Sequence, residues 1–117
     1  MAFKYVKTRT FKRTVKVRVP SSETTDKFDE GSFVGVFRTL SRSQVDDLSP
    51  KHDARTDSER VTAFLKTVLV GAEGFQDETG RDIAPADAVA VILDDIELCK
   101  STIATFNETF VEAKAGN

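Results

Sequence analysis

One segment, Phe11 to Pro20, limits what this chain can fold into, because apolar and basic side chains alternate along its second half. Its second half reads Val15, Lys16, Val17, Arg18, Val19. A period of two residues is typical of a β-strand that buries one face of a sheet and exposes the other to water. Pro20 ends the pattern, since proline has no N–H to donate to a strand ladder. The sequence therefore predicts an N-terminal strand with a charged outer face.

A second strand is predicted from Ser32 to Leu40, where Phe33, Gly35 and Phe37 would share one face. The polar residues 21–31 predict a loop that joins the two strands into an antiparallel hairpin. Two strands alone are marginally stable in water, so the hairpin must pack against helices or pair with another chain. Residues 3–7 are a candidate third strand.

The middle of the chain carries the signals of two helices. Ser41 with Gln44, and Thr56 with Glu59, each form the capping-box pattern that opens a helix. After the second box an apolar stripe continues at helical spacing: Val61, Phe64, Leu65, Val68 and Leu69. Gly71 would end this helix in the left-handed conformation that glycine adopts without strain.

Two more helices are predicted beyond a glycine-rich turn. Asp77-Glu-Thr-Gly80 is typical of a tight turn, and Pro85 suits the first turn of a helix. Asp94 or Asp95 can cap a final helix that extends to about Ala113. Apolar residues recur on that helix at alternating spacings of three and four: Ile96, Cys99, Ile103, Phe106 and Phe110.

The order of these elements, strands first and helices after, predicts an α+β fold. A length of 117 residues suits a single domain over 1–117, with a β-rich part at 1–40 and a helical part at 41–117. No apolar run reaches the roughly 18–20 residues that span a bilayer, so no membrane segment is expected.

Residues that carry catalysis or bind metals are scarce. His52, the only histidine, lies in the polar connector Lys51-His52-Asp53 and is interpreted as a solvated loop residue. With Cys99 as the only cysteine, the chain lacks the four soft ligands of a structural zinc site. Neighbouring carboxylates such as Asp94 and Asp95 point about 100° apart on a helix and do not converge. Asp77-Glu-Thr-Gly80 lacks the spacing of a calcium loop. We therefore expect no catalytic residue, no metal and no cofactor, and a protein that is not an enzyme.

Charge is distributed unevenly along the chain. Seven basic residues and no acidic one lie between Lys4 and Arg18, whereas ten acidic and three basic residues follow from Ala72 onward. A basic segment with interleaved aromatic residues can bind nucleic acid, but alternating Lys and Arg also protect the edge of a sheet. A pI of about 5.4 and the lack of a nucleic-acid-binding motif favour contacts with proteins, including other copies of this chain.

Several motifs follow one another along nearly the whole chain: Val19-Pro20, Ser32 to Phe37, Leu40-Ser41, Gly71-Ala-Glu-Gly-Phe75, Asp77-Glu-Thr-Gly80 and Ile83-Ala-Pro85. With an apolar helix before the last three motifs and two helices after them, this order resembles the phage tail assembly chaperone families. Those families commonly have a Gly-Trp-Glu-Gly-apolar turn, whereas this chain has Ala72 at the tryptophan position. The motif turn comprises Gly71, Gly74, Phe75, Asp77, Gly80 and Pro85.

The resemblance implies a protein that acts during assembly of a long-tailed phage. It would bind the tape measure protein, with the tail tube protein as a second candidate partner, and keep them soluble until the tube polymerises. It would act in the host bacterial cytoplasm and be absent from the mature virion. Two other functions stay open: a structural component, such as a tail terminator or head–tail joining protein, and a small nucleic-acid-binding regulator.

The candidate partner-binding residues lie on the last helix and the second strand. They are Ile103, Phe106 and Phe110, together with Phe33 and Phe37. Both groups fit equally well as residues of the hydrophobic core, and the fold decides between the two interpretations.

Overall fold

A computed structural model describes residues 2–47 and 56–115 of the chain. The elements are β1 (Thr10–Pro20), β2 (Phe28–Arg38), α1 (Arg42–Asp47), α2 (Asp57–Val68), β3 (Leu69–Glu73), α3 (Pro85–Leu93) and α4 (Ile96–Ala115). The strands form one antiparallel sheet in the order β1-β2-β3, and the helices α2, α3 and α4 follow the hairpin. The predicted α+β class is confirmed.

The hairpin of β1 and β2 is the longest paired segment of the fold. Its register runs without a break from Thr10 opposite Arg38 to Pro20 opposite Phe28. The alternation predicted for β1 is confirmed, because Val15 is fully buried while Lys16 and Arg18 are exposed. The second strand begins four residues earlier than predicted, at Phe28, so the connecting loop is shorter than the predicted residues 21–31.

The third strand is not where the sequence predicted it. The predicted strand at residues 3–7 is wrong, since the structure shows no strand there. Instead Leu69–Glu73 pairs antiparallel with β2, with a bulge between Val36 and Phe37. The predicted left-handed helix end at Gly71 is also wrong: α2 ends at Val68, and Gly71 lies in an extended strand.

Local capping signals predicted the helix starts well. Thr56 and Glu59 form a complete capping box at the start of α2, and Ser41 and Gln44 exchange the equivalent bonds at the start of α1. Pro85 occupies the first turn of α3. Asp95 accepts a hydrogen bond from the Leu98 N–H at 3.0 Å and so caps α4.

The core lies between the inner face of the sheet and the helices. The helix α4 packs against β1 and α3 packs against β3, and a single cluster of buried side chains connects all of these elements. Its members include Val15, Phe33, Phe37, Leu65, Val68, Ala88, Ile92 and Phe106. The side chains at the even positions of β1 point to the opposite, wet face.

Candidate protein-binding surfaces

The five predicted partner-binding residues divide into buried and accessible ones. Phe33, Phe37 and Phe106 are buried in the core, with at most 5% of each residue exposed. The apolar surface of these three side chains is therefore buried within the fold, which agrees with the interpretation that they belong to the hydrophobic core. Ile103 is half-buried, and Phe110 remains 46% exposed.

Phe106 is at the centre of an aromatic cluster that joins four elements of the fold. Its ring centroid lies 5.7 Å from that of Phe37, 5.4 Å from Phe64 and 6.0 Å from Phe11. Phe110 lies at the rim, edge-on to Phe106 at 5.1 Å. Aromatic pairs at these separations add to the free energy of burial, so Phe106 holds α4 to the sheet while Phe110 keeps one side open to water.

One accessible apolar surface lies where α2 begins and α3 meets α4. Val61, Leu93, Ile96 and Ile103 line a groove of about 500 Å³, which we call the helix groove. Ile96 is 73% exposed and Val61 36% exposed. Charged residues, among them Asp57, Asp94 and Lys100, also line it. An apolar floor bordered by charges suits the apolar face of an amphipathic helix.

The sequence contained only part of the signal for this groove. Ile96 and Ile103 belong to the apolar seam predicted for the last helix. Val61 belongs to the apolar stripe predicted for the helix that follows Thr56. The groove is lined by residues of α2, of the end of α3 and of α4, which are distant in the sequence and meet only in the fold. Only the packing angle between helices could show that, and periodicity does not encode it.

The motif turn that carries the family resemblance is a compact excursion between β3 and α3. Gly74 and Gly80 have φ values of +69° and +85°. Residues with a Cβ atom are strained in this conformation, whereas glycine adopts it readily. The Ile83 N–H donates to the Phe75 carbonyl at 2.8 Å and closes the base of the excursion. The Phe75 ring packs edge-on against Phe33 at 5.3 Å, which anchors the turn to the core.

Asp77 organises the tip of this turn. Its Oδ1 accepts bonds from the Thr79 hydroxyl at 2.6 Å, the Thr79 N–H at 2.8 Å and the Arg81 N–H at 3.1 Å. The hydroxyl bond from Thr79 is the largest cause that lowers the pKa of Asp77, and the backbone donors add to it. The carboxylate is occupied by the turn itself, and the described residues contain no cluster of three or more metal-binding side chains.

Cys99 lies at the bottom of the helix groove and is buried. Its thiol donates to the Ile92 carbonyl at 3.1 Å. Burial raises the pKa of this thiol, and the charge of Asp95 raises it further. The thiolate is the reactive form of cysteine, so this environment suppresses nucleophilic chemistry. His52 lies outside the described residues.

The basic face of the sheet is partly neutralised within the chain. Lys12 donates to Glu73 across β2 at 2.9 Å. Arg18 lies 3.5 Å from Glu30 and also over the Phe28 ring, 4.6 Å from its centroid. Among the described residues no ion pair involves Lys16. The carboxylates of Glu73 and Glu30 thus reduce the positive charge that this face would offer to a nucleic-acid backbone.

No helix in the described part of the chain is long and apolar enough to cross a membrane. Comparisons with protein-family models, with curated proteins and with solved structures found no match to this chain.

Proposed function

We propose that this protein is a tail assembly chaperone of a long-tailed phage, and that its helix groove binds an amphipathic segment of the tape measure protein. The motif order of the sequence supports the assignment to phage assembly. The observation that carries the binding role is the helix groove, where Ile96 and Val61 expose apolar surface in positions that stabilise no core.

The chemistry of the groove suits a transient helical client. Branched aliphatic side chains accept the apolar face of a helix, and the exposed carboxylate of Asp94 favours lysine or arginine beside that face. A client of this kind would otherwise expose apolar surface and aggregate. The protein would then act in the host cytoplasm and leave the particle before the tail is complete.

The test is co-expression with the tape measure protein encoded by the same phage. We expect the wild-type chain to keep that protein soluble and to co-purify with it. Ile96→Asp should reduce the recovered tape measure protein roughly tenfold, because burying one large aliphatic side chain is worth about 1.5–3 kcal/mol. The fold should survive, since an acidic residue at the start of a helix is favourable.

Val45→Asp is the matched control, because Val45 is a similarly exposed aliphatic residue on α1, outside the groove. It should leave recovery unchanged. Failure of the wild-type chain to retain the tape measure protein would contradict the proposal. Stoichiometric amounts of the chain in purified virions would favour a structural tail component instead.

A further inference from the structure

The outer edge of β1 is an open strand edge. The sheet order places β1 at the end of the sheet, and no described residue continues the ladder beyond it. Just beyond the two ends of the β1–β2 ladder, the Ser21 N–H donates to the backbone carbonyl of Lys27 and the Thr39 N–H donates to the backbone carbonyl of Arg9. Because hydrogen-bonded pairs alternate in an antiparallel ladder, the odd residues of β1 bond to β2. The even residues direct their N–H and C=O groups outward.

The backbone groups that face outward belong to the residues on the wet face of the strand, and three of the four central ones are basic. The four are Lys12, Thr14, Lys16 and Arg18. A strand added to this edge would place its own side chains directly opposite these four. Opposite charges at such positions stabilise the pair, and like charges destabilise it.

The helix α4 provides a wall beside this edge. Lys12, Thr14 and Lys16 on the strand side and Ser101, Ala104 and Glu108 on the helix side line a groove of about 670 Å³. Serine and alanine are small, so an added strand can approach α4 closely on that side. Phe106 and Phe110 lie next to Phe11 near the start of β1, so Glu108, which lies between them on α4, is near the Lys12 end of the strand. Lys16 has no ion pair among the described residues, whereas Arg18 shares its charge with Glu30 in an exposed pair that an incoming carboxylate can replace.

A second copy of this edge is a poor occupant. Two-fold pairing of β1 with itself about Thr14 would place Lys12 opposite Lys16 in both halves of the interface. Each such contact sets two lysines directly opposite each other. A symmetric dimer in this register is therefore disfavoured.

We propose that the edge of β1 binds an extended acidic segment of a partner protein by β-strand addition, with carboxylates at alternate positions opposite Lys16 and Arg18. Small side chains at the intervening positions face α4. This interaction uses a surface separate from the helix groove, and it does not depend on the identity of the client proposed above. Main-chain hydrogen bonds would provide affinity, and the alternating carboxylates would provide register.

The first test uses a fluorescently labelled peptide, acetyl-Glu-Ala-Glu-Val-Thr-Ala-Ser-amide, and measures its anisotropy on titration with the whole chain. We expect saturable binding. A peptide of the same composition with adjacent glutamates, acetyl-Glu-Glu-Ala-Val-Thr-Ala-Ser-amide, should bind more weakly, because adjacent residues of a strand point to opposite faces.

A backbone control separates strand addition from simple charge attraction. N-methylation of the second glutamate removes an N–H that would face β1 and should abolish binding. N-methylation of the alanine that follows the first glutamate removes an N–H that faces away, and binding should persist. Amide exchange of Thr14, Lys16 and Arg18 should slow when the unmodified peptide binds.

A charge-reversal pair completes the test on the protein side. Lys16→Glu should weaken binding of the acidic peptide roughly tenfold. A second peptide, with lysines in place of both glutamates, should bind this variant more tightly than it binds the wild-type chain. Lys66→Glu, the same charge change at an exposed site on α2, should have little effect. Absence of binding at millimolar peptide, or equal binding of both N-methylated peptides, would overturn the proposal.

Discussion

At the scale of single residues, the close approach of Phe37 to Gly35 shows how tightly the sheet is packed. A Cβ atom on Gly35 would lie 2.7 Å from Cε2 of the Phe37 ring and 3.3 Å from Cγ2 of Val15. Phe37 and Val15 are fully buried, so neither can move away freely. The glycine is required by this contact rather than by its backbone conformation.

We expect Gly35→Ala to lower the free energy of unfolding by about 1–3 kcal/mol, the usual cost of overpacking a core. Chemical denaturation monitored by circular dichroism measures the change. Gly31→Ala is the matched control on the same strand, because no atom lies within 4 Å of the Cβ that it would add. A Gly35→Ala protein as stable as the wild type would contradict the packing described here.

Phe106 and Phe110 should respond differently to the same substitution. Phe106→Asp places a charge at the centre of the aromatic cluster and should unfold the protein, because an unpaired buried charge is very costly. Phe110→Asp lies at the exposed rim and should leave a folded chain with a lower melting temperature. Thermal unfolding distinguishes the two, and a well-folded Phe106→Asp variant would show that Phe106 is a docking residue instead.

Asp77 gives the turn a dependence on pH. Its pKa is lowered in the folded chain, chiefly by the Thr79 hydroxyl, so the ionised form stabilises the fold above the pKa of the unfolded chain. That contribution is lost as pH falls through the lowered pKa. We expect Asp77→Asn to be less stable than the wild type at neutral pH, with the difference shrinking in acid. Melting temperatures measured across this range test it, and a difference that grows in acid would contradict the assignment.

At the scale of elements, the third strand shows where sequence reasoning failed and why. The stripe through Val68 and Leu69 fits a helix that continues, and residues 69–73 show no alternation. They form a strand because β2 offers an unpaired edge beside them, and the pairing of Gly71 with Val36 is a contact between distant parts of the chain. Local propensity cannot report such a contact. The caps at Thr56 and Asp95 were predictable because their donors and acceptors lie within one turn.

The helix α4 shows a similar limit. The apolar seam predicted its inner face only in part, since Ile96 is exposed and Thr102 is fully buried. Thr102 can be buried because its hydroxyl donates to the Leu98 carbonyl at 2.7 Å, one turn earlier. A pattern based on hydrophobicity scores threonine as polar and so assigns it to the wrong face.

We expect Thr102→Val to keep or slightly raise the free energy of unfolding, because an apolar group of the same shape replaces a hydroxyl bonded only within its own helix. Thr102→Ala should lower it by about 1 kcal/mol through loss of buried methyl volume. Denaturant titrations of the two variants measure this. A strongly destabilised Thr102→Val protein would mean that the hydroxyl has a partner elsewhere.

At the scale of the whole molecule, the uneven charge and the apolar residues acquire distinct positions. Lys12, Lys16 and Arg18 lie on the outer face of the sheet, while two of the exposed aliphatic residues, Val61 and Ile96, lie together in the helix groove. The α+β architecture and the hairpin could be predicted from the sequence, since they follow local periodicity. The candidate sites could not, because each is built from side chains that only tertiary packing brings together. Of the residues predicted to bind partners, Ile103 alone lines the helix groove.

The central claim is that the helix groove is the client-binding surface, and methyl NMR tests it most directly. The chain, labelled at isoleucine and valine methyl groups, is titrated with a soluble fragment of the tape measure protein. We expect the signals of Val61, Ile96 and Ile103 to shift together and to saturate, while that of Val45 on α1 stays in place. Shifts confined to residues outside the groove, or no shift with a fragment known to be folded and soluble, would contradict the claim.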